Sequence, residues 1–150
     1  MRQEIEWKIF TFEQLTTGEL YDILYLRNEV FVIEQECAYL DTDYKDQKAL
    51  HICGYAENRL IAYCRVFDAG IYFPEAAIGR VVVDKQYRKY GYGKFLMEKA
   101  IETVKNEYKT DTIVISGQSY LLRFYEGLGF KKISEEYMEA GIPHVRMKLN

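Results

Sequence analysis

A chain of 150 residues, 49% hydrophobic and 29% charged, is long enough to bury a core of its own and reads as one domain spanning 1–150. Twenty basic against 23 acidic residues leave a net charge of −3, which argues against a nucleic-acid partner. Three cysteines (Cys37, Cys53 and Cys64) form no CxxC pair, and no run approaches the ~20 apolar residues of a membrane span. The expectation is a soluble cytoplasmic protein without disulfide framework, metal site or membrane partner.

Residues 5–12 alternate Ile5, Trp7 and Ile9 with Glu6, Lys8 and Phe10, a period of two that predicts a first strand. Thr16-Thr17-Gly18-Glu19 has the spacing of a capping box and opens a helix. Its apolar face carries Leu20, Ile23, Leu24, Val30 and Phe31, interrupted by Arg27. A charge in that stripe predicts a buried arginine with an acidic partner, and Glu34, seven residues on, is the first choice. Residues 36–48 are irregular and acidic.

Leu50–Ala56 and Leu60–Phe67 read as two strands of a tight hairpin around Glu57-Asn58-Arg59. Ala77–Val83 is a β-branched run suited to a central strand. A polar stretch ending in two glycines leads into a helix with the stripe Met97, Ala100, Ile101, Val104 and Tyr108. Thr112–Ser116 reads as a further strand. Ser119 is placed to cap a helix with the stripe Leu121, Phe124, Tyr125 and Leu128, ended by Gly127 or Gly129. Lys132–Tyr137 and Val145–Leu149 read as the last strands, separated by a turn with Gly141 and Pro143. The order β-α-β-β-β-α-β-α-β-β calls for an α+β or α/β layered architecture with a mixed sheet.

The stretch richest in chemistry is Arg88-Lys89-Tyr90-Gly91-Tyr92-Gly93, between a strand and a helix. Unpaired N–H groups at a helix start, the positive dipole end and two nearby cations make an anion site. Gly93-Lys94-Phe95 is not the end of a Walker A loop, and a third glycine of a dinucleotide fingerprint is absent.

Arg-x-x-Gly-x-Gly in this position resembles the acyl-CoA pyrophosphate loop of the GNAT N-acyltransferase superfamily. The likeness spans nearly the whole chain. It is nearest the ElaA-type branch, through Leu26-Arg27, Val30 to Gln35, His51, Ala62 to Arg65, Ile78 to Val81 and Gly141 to His144. The resemblance implies a mostly antiparallel mixed sheet of about seven strands flanked by helices and splayed to admit CoA. It implies acetyl transfer from acetyl-CoA to a primary amine, by direct attack in a ternary complex. Backbone groups of Val81 and Val83 would then pair with the pantetheine arm. N–H groups from Arg88, Lys89, Tyr90, Gly91, Tyr92, Gly93 and Lys94 would hold the pyrophosphate. Gln118 stands where the family often carries Asn.

Tyr125 matches the family's acid; the plainer reading is a core tyrosine with a bonded hydroxyl. Glu34, His51 and His144 are candidate bases beside a water relay, and Arg27, Gln35, His51 and His144 are candidates for acceptor binding. Cys37 is the one loop cysteine available for a covalent route. The acidic stretch Glu34, Glu36, Asp41, Asp43 and Asp46 fits a cationic small-molecule or peptide amine, or a solvated loop. The alternative function is a non-catalytic acyl-CoA-binding or sensing module. Oligomeric state is open, a homodimer included.

Overall fold

The computed structural model describes residues 3–150. Strand β1 (Glu6–Thr11) is followed by helix α1 (Thr17–Arg27). The capping box forms as its spacing predicts. Thr16 Oγ1 accepts from the Glu19 N–H at 3.1 Å, and the Glu19 carboxylate accepts from the Thr16 N–H at 2.8 Å. The helix does not continue regularly to Phe31. At Arg27 it passes into a π-helical segment, Asn28–Glu34, whose wider turns keep Val30 inward but carry Glu34 off the α1 stripe.

Strands β2 (Leu50–Ala56) and β3 (Arg59–Phe67) form the predicted hairpin, with Glu57 at φ +51° and Asn58 at φ +66°. Next come β4 (Ala76–Val83), α2 (Tyr92–Tyr108), β5 (Ile113–Gln118) and α3 (Leu122–Glu126). The chain closes with β6 (Lys131–Lys132), β7 (Tyr137–Glu139) and β8 (Ile142–Leu149). Ser119 does not cap a helix: it begins a 3₁₀ turn, Ser119–Leu121, and its buried Oγ has no hydrogen-bond partner among the described residues.

Where one strand was expected over Lys132–Tyr137, two short ones, β6 and β7, each pair with the long β8. Between them the Ser134 hydroxyl accepts from the Arg146 N–H at 2.8 Å, replacing a ladder bond with a side chain. The described sheet therefore has eight strands, in the order β1-β2-β3-β4-β5-β8-β6 with β7 also on β8. Every pairing is antiparallel except β4 with β5.

Helix α1 covers one face of the sheet, where Ile23, Leu26 and Val30 pack on Cys53, Tyr63 and Val82. Helices α2 and α3 cover the other. Leu96, Met97, Ala100 and Val104 there meet Ile52, Ile61, Ile113 and Met147. Each of the larger aliphatic side chains buried in this way contributes roughly 1.5–3 kcal/mol. This packing holds α2 and the strand β4 in fixed relation, and so positions the turn between them.

Candidate active site at the opening between β4 and β5

The two parallel strands pair only at Ala76 with Ile113 and Ala77 with Val114. Beyond that point they separate. Arg80 adopts φ +52° at a bulge opposite the Tyr63–Arg65 segment of β3. An extra residue there bends and twists β4 away from its neighbour. The gap opens into two hollows of about 570 and 690 Å³ that share Phe31, Gln35, Val81, Gln118, Leu121 and Tyr125 as lining. The 690 Å³ half reaches Val83, the turn from Arg88 to Lys94, and Tyr120. The 570 Å³ half reaches Tyr39, Asp43, Arg80, Glu139 and His144. The side-chain amides of Gln35 and Gln118 pair reciprocally, at 3.2 and 3.3 Å, on the shared wall.

At the mouth of the larger half, Gly91 ends the turn at φ +81° and Tyr92 begins α2. Among the described residues no side chain caps this helix, which leaves its first-turn N–H groups at the hollow's rim without a side-chain acceptor. Lys89, at φ +76°, adds a second left-handed residue to the same turn. Such successive turns aim N–H groups at one point and suit an anion. A Cβ built on Gly93 would stand 3.7 Å from Phe124, so a side chain fits there without a clash inside the protein. The Tyr92 hydroxyl donates to the Gln3 carbonyl at 2.9 Å, and Tyr90 packs at the core edge.

Tyr125, on α3, sits at the junction of the two halves and is 6% exposed. Its ring packs edge-on against Phe124 and Phe130, at centroid distances of 5.1 and 6.1 Å. Its hydroxyl has no hydrogen-bond partner among the described residues, which removes the reading of a core tyrosine with a bonded hydroxyl. Burial, with smaller contributions from Cys64 and Tyr120, pushes its titration well above that of an ordinary phenol.

A family model of the GNAT acetyltransferase domain matches residues 18–150. The chain belongs to the GNAT acetyltransferase family. It is 46% identical over 144 residues to a UPF0039 protein of Schizosaccharomyces pombe, covering 92% of each chain. It is 36% identical over 145 residues to the protein ElaA of Escherichia coli, covering 95% of each. The crystal structure of E. coli ElaA superposes with a TM-score of 0.90 over 97% of this chain and 99% of that one, at 35% identity. An acyl-CoA N-acyltransferase from Pseudomonas aeruginosa superposes with a TM-score of 0.92, also over 97% and 99%, at 34% identity.

Within this GNAT fold several expected site residues take other posts. Arg27 is fully buried and pairs with Asp41 at 2.6 Å and Asp46 at 2.8 Å, not with Glu34. The π-helical segment accounts for this, because seven residues no longer make two turns. Arg27 therefore does not touch the gap and is not an acceptor-binding residue. Glu34 instead forms a bidentate pair with Arg88, at 2.6 and 2.9 Å, and lines the larger half. That hydrogen-bonded pairing lowers its titration, and in this structure Glu34 is the ion-pair partner of Arg88 and not a free base. Arg88 also donates to the Val83 carbonyl at 3.0 Å.

His51 is fully buried away from the gap. Its Nε2–H donates to the Asp46 carbonyl at 2.8 Å, and its Nδ1 accepts from the Tyr63 hydroxyl at 2.7 Å. Burial lowers its titration, and His51 lines neither half of the gap, so it is placed neither as base nor as acceptor contact. Gln35 and His144 do line the smaller half. Cys53 and Cys64 are buried in the strands, and the Cys37 thiol donates to the Ala140 carbonyl at 2.8 Å.

The acidic loop of this GNAT chain is not a free anionic surface. Asp41 pairs with Arg27 and Arg80, Asp43 with Arg80 and Arg65, and Asp46 with Arg65 and Arg27. Three acids and three arginines thus alternate around a closed ring that is electrically neutral. The ring ties the 41–46 loop to α1, β3 and β4, where it walls the smaller half.

Sequence reasoning passed over Gly117, Ser116 and Glu139. The signal for Gly117 was a glycine inside a buried strand, which marks close approach of another group. A Cβ there would stand 3.0 Å from a Tyr125 ring carbon and 2.8 Å from the Met147 methyl. The methionine methyl can swing aside; the ring, packed edge-on against Phe124 and Phe130, yields only by disturbing those contacts. Gly117→Ala is expected to destabilise by about 1–3 kcal/mol, as overpacking does. It should also displace Tyr125, and a urea melt with near-ultraviolet circular dichroism checks both.

Proposed function

We propose that the protein transfers an acyl group, acetyl by preference, from acyl-CoA to a primary amine within a ternary complex. The observation that carries this reading is the two-ended gap with Tyr125 at its junction. One end offers an uncapped helix start and cationic turn for a pyrophosphate; the other is walled by polar and aromatic side chains. An acyl-pantetheine entering between β4 and β5 runs beside Val81 and Val83, whose backbone is free of β5. The thioester then lies where an amine from the opposite end can reach it. Holding both reactants in one channel supplies proximity and orientation, which general acid catalysis supplements. The Pseudomonas aeruginosa relative, by name an acyl-CoA N-acyltransferase, supports the donor class.

In this reading Tyr125 donates its proton to the departing thiolate. The Arg88 guanidinium, now on Glu34, stands beside the pyrophosphate position. The acceptor is a small-molecule or peptide amine. Among the described residues no helix is long and apolar enough to cross a membrane.

Gly93→Val provides the test. Gly91 is left in place because its φ of +81° would strain any side chain, whereas the Gly93 site has room within the protein. A side chain at Gly93 meets an incoming phosphate instead. Each charge-assisted hydrogen bond lost is worth about 1.5–3 kcal/mol, so CoA affinity should fall about tenfold or more while the melting temperature holds. Calorimetry with CoA reads the affinity, and release of free thiol from acetyl-CoA across a panel of amines reads the transfer. Undiminished CoA affinity in Gly93→Val removes the pyrophosphate assignment.

A further inference from the structure

We propose that Glu139 and His144 receive the acceptor amine, with the Glu139 carboxylate holding the incoming ammonium and His144 Nε2 taking its proton. This assignment rests on the transfer reading above and extends it to the proton path.

Both residues line the smaller half of the gap, beyond Tyr125. They meet across the β7–β8 hairpin, whose turn is made by Ala140 at φ +52° and Gly141 at φ +75°. His144 Nδ1 lies 2.7 Å from the Ile142 carbonyl. A carbonyl only accepts, so Nδ1 carries the ring hydrogen and Nε2 of the neutral ring carries a lone pair. That lone pair faces Glu139 Oε2 at 3.5 Å. A proton arriving on Nε2 turns two opposed acceptors into an ion pair. The arrangement is that of a base awaiting its proton.

The surroundings fix the pair. Ser116, on β5, donates to Glu139 Oε1 at 3.1 Å and accepts from the Tyr137 hydroxyl. The Tyr137 ring stacks on His144, with centroids 6.3 Å apart, and Gln118 on β5 is the register partner of His144. His144 itself is almost wholly buried, whereas the Glu139 side chain is 46% exposed and can meet a solute.

Charge accounting singles out Glu139. Asp43 and Arg80, the other opposed charges in this half, belong to the neutral ring, and Lys45 lies over the Tyr72 ring at 5.8 Å. Arg146, two residues along β8, is placed over Phe73 at 4.6 Å. Among the described residues no lysine or arginine pairs with Glu139. The attraction for a cationic acceptor thus comes from this carboxylate and not from the 41–46 loop. Tyr39, Leu40, Tyr72 and Ile142 supply apolar surface around it, which fits an amine carried on a hydrophobic or aromatic body.

The step balances. His144 takes one proton from the ammonium, leaving a neutral amine. Its lone pair forms the C–N bond, and the carbonyl electrons move to oxygen. Collapse restores C=O and breaks C–S, whose electron pair leaves on sulfur. Tyr125 protonates that sulfur and is reprotonated by the hydrogen still in excess on nitrogen. Amide and thiol leave neutral, and the one net proton, on His144, passes to water.

The test uses His144→Gln and Glu139→Gln with acetyl-CoA and three primary amines: benzylamine, tyramine and cadaverine. Each variant is expected to lose about 10²-fold or more in kcat/KM for the amine at neutral pH, with the KM for acetyl-CoA unchanged. The His144→Gln deficit should shrink as pH approaches the amine's own titration, because the amine then arrives neutral. A structural defect would not be repaired in that way. A deficit equal at every pH, or parental activity in His144→Gln, overturns the proposal.

The chain has two histidines, so ring NMR signals give a second readout that needs no turnover. Benzylamine added to the CoA-loaded protein should shift His144, leave the buried His51 alone, and lose this effect in Glu139→Gln. If the parent binds CoA, releases no thiol with any amine, and still shows the His144 response, the transfer reading fails and the amine site stands. If His144 ignores all three amines, the amine site falls whatever the turnover.

Discussion

Arg27→Met is expected to destabilise the protein by about 3–5 kcal/mol, the cost of breaking a buried charge pair by removing one partner. Arg27 is fully buried, and Asp41 and Asp46 beside it are nearly so, at 2% and 9% side-chain exposure. Removing the guanidinium leaves three carboxylates facing two arginines, with Asp41 and Asp46 on the buried side of the ring. It also strips a hydrogen bond from the Asp41 carbonyl, which Arg27 and Arg80 share. The loss is a large fraction of the roughly 5–15 kcal/mol that holds a domain folded. Urea unfolding measures it. Arg88→Met serves as the contrast: its pair with Glu34 is about one-third exposed on each side, so its loss should change stability by less than about 1 kcal/mol. If Arg27→Met unfolds like the parent, the ring does not contribute to stability.

The same ring sets the response to acid. Its arginines lower the titration of Asp43 and Asp46 against the burial that would raise it. A carboxylate depressed in the folded state gives stability that is present above its unfolded value, near ~4, and is lost as pH falls below it. His51 acts earlier. Its lowered titration means the unfolded chain takes up a proton first, so stability begins to fall below about pH 6.5. Two successive declines are expected in a pH series of urea midpoints.

Local features of this fold were legible because local physics decides them. Thr16 and Glu19 cap α1 through a reciprocal pair three residues apart, and Glu57-Asn58 makes a left-handed turn. The α2 stripe reads from a period of 3.6. The burial of Arg27 was legible too, since an arginine at a leucine position of an apolar stripe is carried inward with its neighbours. Its partner was not. The π-helical segment moved Glu34 off the stripe, and Asp41 and Asp46 come to Arg27 only through the path of a loop. For the same reason five acids close together in sequence read as a cationic-ligand surface, while in space three of them are neutralised by arginines from α1, β3 and β4. Glu139 was hidden by the opposite effect. Nothing local separates it from Glu135 and Glu136; what distinguishes it is its place opposite Ser116 and His144 across two strand pairings.

Tyr125→Phe is expected to lower kcat about 10²–10⁴-fold, or about 3–5 kcal/mol in the barrier, with little change in the KM for acetyl-CoA. The substitution keeps the ring contacts with Phe124, Phe130 and Gly117. It removes a hydroxyl that has no partner among the described residues, so no buried group is left unsatisfied and stability should move by less than about 0.5 kcal/mol. The effect is therefore confined to what the hydroxyl does when sulfur becomes negative. A thiol of pKa near ~8.5 leaves as a thiolate, and a hydrogen bond that strengthens as that charge develops acts in the transition state more than in the ground state. An ordinary phenol, near ~10, would add a basic limb to the pH–rate profile. Burial removes that expectation: Tyr125 titrates well above the ordinary value and stays protonated throughout the working range. The parent profile should accordingly show no basic limb from this group, and Tyr125→Phe should lower the whole profile without changing its shape. Single-turnover rates with acetyl-CoA and a reactive amine isolate the chemical step from product release. A variant that keeps the parental single-turnover rate would place the proton donor elsewhere, and would leave the unpaired hydroxyl at the junction of the gap without a chemical role.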